Sequence, residues 1–142
     1  MTLFARLKRD CGGSATIEFG MLGPIVITLM LGVLQMGVAM WSYNSLRSVA
    51  SETARYAVTN YQAANKISAS SISSQATLIA TNSPYGLTSA NLTITVTTAA
   101  TQRVSGATEM TLTMNYTVPT MASLVGLESI PLTYSRPIFL LP

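Results

Sequence analysis

The sequence predicts an α+β fold. It has a long N-terminal transmembrane and amphipathic helix, a short second helix, and a three-stranded antiparallel sheet packed on the outer half of the first helix. Three observations predict it. Residues 19–41 carry no charged side chain. Tyr43, Leu46, Ala50, Ala54 and Ala57 then recur at helical spacing, with Arg47, Ser51, Glu52 and Arg55 between them. From Asn91 the period changes to two: Leu92, Ile94 and Val96 alternate with Thr93, Thr95 and Thr97.

The charge-free run is 23 residues long. As a helix it measures about 35 Å, against a hydrocarbon core of roughly 30 Å, so it can span a bilayer with some tilt. Before it lie Arg6, Lys8 and Arg9, then Gly12 and Gly13, and directly beside it the carboxylate Glu18. Basic residues ahead of an apolar helix favour a cytoplasmic N-terminus. A carboxylate near lipid needs compensation, because a charge at the centre of a membrane helix costs ~2.5–3.5 kcal/mol and somewhat less at its margin. Pro24 lacks a backbone donor and clashes with the preceding turn, which predicts a kink or local unwinding. Gln35 is the one strongly polar side chain inside the run, placed to bond across helices or within its own. Trp41 and Tyr43 suit the outer membrane interface. The helix is expected to reach about Val58, and Glu52 and Arg55 are spaced to pair on it.

Residues 59–83 are rich in Ser, Ala, Asn and Thr. Sparse apolar points at Ile67, Ile72, Leu78 and Ile79 predict a second helix over residues 64–80, ended by the turn signal of residues 82–86. The first strand begins near Asn91, residues 99–106 turn, and Met110, Leu112, Met114, Tyr116 and Val118 face inward on the second strand until Pro119. A loop over residues 120–129 leads to a third strand over residues 130–138. Pro131 and Pro137 suit an edge there. The apolar tail from Phe139 onward is expected to complete the core.

The order is a basic leader, Gly13, then Ser14, Ala15, Thr16 and Ile17, then Glu18 and Phe19, then a long apolar helix containing Pro24. It resembles the TadE-like family of minor pilins, or pseudopilins, of the tight-adherence (type IVc) pilus. The likeness extends through Leu46, Arg47, Ser48, Val49, Ala50, Ser51, Glu52, Thr53, Ala54, Arg55 and Tyr56, and covers residues 12–58. Where the family often has an acidic residue and an aromatic, this chain has Gln35 and Met36. The resemblance implies four parts. Residues 1–13 are a cleaved leader, residues 14–58 the N-terminal helix, residues 59–90 a short helix and linker, and residues 91–142 a pilin-like β domain.

It also implies that a prepilin peptidase cuts between Gly13 and Ser14. Glu18 would then attract the free amine of a neighbouring subunit as helices bundle, each group relieving the other's desolvation. The implied partners are other pilins and pseudopilins, the peptidase, the inner-membrane assembly platform and lipid. The implied place is the inner membrane, crossed once with the C-terminal domain outside, or the fibre itself. There the subunit would help initiate or cap a pilus used in adhesion.

An unprocessed single-pass scaffold protein of the envelope explains the orientation but not the spacing of Gly13, Glu18 and Phe19. A secretory signal would have an apolar core of roughly 7–15 residues and a small-residue cleavage site. This run is longer and ends at Met40 and Trp41. A major pilin of the class is smaller and almost all helix.

Chemistry is sparse. The chain has no histidine, and its one cysteine, Cys11, lies in the expected leader. Zinc sites, Cys/His nucleophiles and internal disulfides in the processed chain are thereby excluded. Of the acidic residues, Glu18, Glu52, Glu109 and Glu128 follow the leader, without paired-carboxylate spacing, and Lys66 stands alone. No phosphate-binding loop is present. Neither an enzyme nor a cofactor is expected. The net charge of +3 owes +2 to residues 1–10, where Arg6, Lys8 and Arg9 outnumber Asp10. It therefore indicates a basic flank rather than a nucleic-acid surface.

Overall fold

The computed structural model describes residues 12–63, 65, 67–120, 126 and 128–141, with side chains from residue 16 onward. The remainder of the expected leader, Lys66 and most of the 120–129 loop lie outside the described residues. Helix α1 runs from Gly12 to Gln62 and α2 from Ala69 to Thr81. A single 3-10 turn at Ser89–Asn91 leads into strands β1 (Leu92–Thr98), β2 (Thr108–Val118) and β3 (Ile130–Leu140). The strands form one antiparallel sheet in the order β1-β2-β3. The predicted architecture is therefore the one observed.

Two helix boundaries differ from the sequence reading. α1 continues four residues past Val58, and α2 begins at Ala69 rather than at residue 64. Local capping sets the ends of α2. Ser68 has extended backbone angles, and its Oγ accepts a hydrogen bond from the Ser71 N–H at 3.1 Å, which satisfies a donor left open in the first turn. At the other end the Asn82 backbone N–H and side-chain amide both donate to the Leu78 carbonyl. β3 also extends to Leu140, two residues beyond expectation.

Period-two patterning sets the sheet. Leu112, Met114 and Val118 on β2 are fully buried, and Tyr116 nearly so. Their faces are covered by the outer half of α1 over β3 and β2, and by α2 over β1. α1 presents Leu46, Val49, Ala50, Thr53 and Ala57 to this core, and α2 presents Ile72, Ala76 and Ala80. Ala76 and Ala80, one turn apart, are the small residues on the buried face of α2, which packs on both α1 and β1, and Ser73 Oγ donates to the Ile94 carbonyl at 3.2 Å. Ile138 and Leu140 join the core, whereas Leu141 is largely exposed, so the tail completes the core only in part.

The middle of the opposite face of the sheet carries uncharged hydroxyl and amide groups. The register aligns Thr93 with Asn115 and Thr133, Thr95 with Thr113 and Ser135, and Thr97 with Thr111 and Pro137. Thr133 donates to Asn115 at 2.8 Å, and the Thr113 and Ser135 hydroxyls lie 3.2 Å apart. Pro131 and Pro137 sit on β3, an edge strand as predicted, and pairing with β2 runs unbroken past both.

Candidate functional site

The feature with functional content is α1, which has two unlike halves. From Thr16 to Met30 every described side chain is solvent-exposed, only Gly23 being partly covered. This half displays Ile17, Phe19, Met21, Leu22, Ile25, Val26, Ile27, Leu29 and Met30. A helix this apolar and this uncovered is not the core helix of a water-soluble domain, where such side chains would be buried. It is long and apolar enough to cross a membrane once.

The expected site residues lie along this helix. Gly13 and Ser14 fall inside α1, so the backbone at the expected cleavage point is helical. Glu18 and Phe19 are exposed one turn further along. The helix passes through Pro24 without an unwound turn, and Thr28 Oγ1 donates to the Pro24 carbonyl at 2.8 Å. Trp41 is exposed. Tyr43 is also exposed, but its ring meets Tyr134 of β3 edge-on, with centroids 5.9 Å apart, so it helps seat the sheet.

Gln35 departs from its expectation. It is buried, and its amide donates to the carbonyl of Pro119, the residue that ends β2, at 3.1 Å. The bond is neither within α1 nor between subunits. It fixes the lower edge of the β domain to α1 within residues 19–41. Sequence reasoning found the lone polar side chain, but its partner lies 84 residues away, beyond any local signal.

At the far end of the sheet Arg103 and Glu109 form an ion pair. The Glu109 side chain is almost fully enclosed. Arg103 Nε donates to Glu109 Oε1 at 2.8 Å, the Arg103 N–H donates to Oε2 at 3.3 Å, and the guanidinium lies 5.3 Å from the Phe139 ring centroid. Hydrogen bonding from Arg103, assisted by its charge and opposed by burial, holds the Glu109 carboxyl below the usual carboxylate range. Gly106, at φ +79°, supplies the left-handed turn that returns the chain to β2. The alternation of β2 gave no hint of this pair, because residues 99–106 read only as a turn. Glu52 and Arg55, spaced to pair, do not: Glu52 accepts from the Tyr85 hydroxyl at 3.5 Å and Arg55 is solvated.

α1 thus joins an exposed apolar half, with one carboxylate near its start, to a half that packs a small β domain. Residues 13–55 match the family model described as TadE-like protein. The TadE-like segment thus begins at the glycine before Ser14 and ends at Arg55, and it contains Glu18, Phe19, Pro24, Gln35 and Arg47. Comparisons with curated proteins and with solved structures give no match. The match covers less than half of the chain. The β domain, residues 92–140, lies beyond the matched residues.

Proposed function

We propose that this chain is a minor pilin or pseudopilin of a tight-adherence pilus, cut by a prepilin peptidase after Gly13, whose exposed apolar half-helix bundles with other pilins to initiate or cap the fibre. The observation that carries the reading is the division of α1: an uncovered apolar half beginning at Glu18 and Phe19, and an outer half committed to its own β domain. A subunit so divided can enter a bundle of apolar helices while its domain stays folded outside. Glu18 suits the role of partner for the amine that cleavage creates at Ser14 of a neighbour, since opposite charges near lipid relieve each other's desolvation. Before assembly the chain sits in the inner membrane with residues 1–13 in the cytoplasm and the β domain on the other side.

One observation favours an unprocessed scaffold protein instead: α1 includes both Gly12 and Gly13. A protease that reads extended backbone must unwind that turn before it can cut between Gly13 and Ser14. Two adjacent glycines make the unwinding easier, each destabilising the helix by roughly 0.5–1 kcal/mol relative to alanine.

The deciding experiment is the N-terminal sequence and intact mass of the protein from membranes of cells with and without the peptidase. Processing predicts a chain starting at Ser14 only where the peptidase is present. A chain starting at Met1 in both makes the scaffold reading correct.

A further inference from the structure

The outward face of upper α1, opposite the face that packs the sheet, forms an open groove along Arg47, Ser48, Ser51, Glu52 and Arg55. Arg47 and Arg55 are exposed, and neither makes a hydrogen bond or ion pair with any described residue. A third cation joins them from β3: Arg136 Nη1 donates to Ser51 Oγ at 2.6 Å. The one carboxylate on the rim, Glu52, is turned toward the Tyr85 hydroxyl. Three cations against one anion make the groove basic. Ser48 and Ser51, having small side chains, leave its floor low enough for a second backbone to approach. We infer that this groove receives an acidic helix face of a different subunit, with two carboxylates spaced to meet Arg47 and Arg55.

Three considerations select that occupant. Arg47 and Arg55 are eight residues apart, about 12 Å along the helix. A neighbouring helix lying alongside would match them with carboxylates seven or eight residues apart. Anionic lipid fits poorly. With Trp41 at the interface, Ser51 and Arg55 stand about 15 and 21 Å beyond it, whereas the headgroup layer is only about 5–7 Å deep. A second copy also fits poorly, because the acidic residues on α1, Glu18 and Glu52, are too far apart to meet both arginines. The groove continues the exposed stripe of Val33, Gly37 and Met40 below it, so the same partner helix can follow both. The inference rests on the bundling proposed above and adds the chemistry of the partner.

The test places the photo-crosslinker p-benzoylphenylalanine at Ser48, or in a second strain at Val33, in the full chain in its own cell membranes. The adduct peptides are sequenced. The expected adduct from Ser48 is another protein, cross-linked within a helix that carries carboxylates seven or eight residues apart. Its yield should fall at least tenfold in Arg47→Glu/Arg55→Glu and persist in Arg47→Lys/Arg55→Lys. A phospholipid adduct, an adduct with a second copy, or a protein adduct indifferent to charge reversal overturns the inference. So does an adduct from Val33 with none from Ser48, which would leave bundling intact. No adduct from either position defeats the bundling proposal itself, and the inference with it.

Discussion

The side-chain amide of Gln35 donates to the Pro119 carbonyl, joining the apolar stretch of α1 to the end of β2. The bond explains why a strongly polar residue is tolerated there: it is shielded by the β domain rather than presented to lipid. Replacing Gln35 by Leu removes the donor and leaves a part-buried carbonyl without it, at a cost of about 1–3 kcal/mol. Denaturant unfolding in detergent micelles should show that loss. Amide exchange should quicken first at the end of β2.

The lower half of α1 contributes nothing to the core, since residues 16–30 bury no side chain. A chain beginning at residue 31 should therefore fold in water with the sheet and both helices intact. Circular dichroism and a cooperative thermal transition would establish this. A non-cooperative melt would mean that the apolar half supports the domain after all.

Leu112 is fully buried at the centre of β2, between Val96 and Arg136 on the neighbouring strands. Leu112→Ala should destabilise the domain by about 2–5 kcal/mol, as large-to-small core changes do. Thr95→Ala, on the exposed hydroxyl face, should lie within about 0.5 kcal/mol of the parent. Comparable losses at the two positions would show that the hydroxyl face is covered in solution.

Glu109 gives the domain an acid sensitivity of known sign. Its carboxyl is held below the usual range chiefly by hydrogen bonding from Arg103. The pair therefore contributes stability above the unfolded carboxylate's pKa, and that contribution fades as pH falls through the lower folded value. Glu109→Gln should be less stable than the parent at neutral pH, and the gap should close in acid. A gap that is constant with pH would assign the effect to packing against Phe139 instead.

Bundling through the membrane half predicts a separation of effects at Glu18. Glu18→Ala should leave insertion and domain stability unchanged, because no core side chain depends on it, yet lower the amount of chain entering fibres several-fold. Fibre content measured against total membrane content reads this directly.

Much of the fold was legible because it is written in periods. The apolar run, the three-to-four spacing from Tyr43 to Ala57 and the alternation of Leu92, Ile94 and Val96 each bury one face. Elements were misplaced where a cap decided the boundary: Ser68 starts α2, and no periodicity announces it. Polar contacts between distant segments were not legible. Gln35 with Pro119, and Arg136 with Ser51, depend on a topology that brings residues 84 and 85 positions apart together. Arg103 with Glu109 spans only six residues, but it depends on how a turn folds back over a strand.

Pro131 and Pro137 bear on how this chain behaves when many copies share a membrane. Because pairing with β2 is unbroken past both, the amide hydrogens they lack belong to the open side of β3. That margin is missing two of the donors another strand would need in order to add on, one of the ways natural sheets avoid joining edge to edge. The sheet is thereby discouraged from polymerising on its own account. On the bundling proposed above, association then falls to the helix.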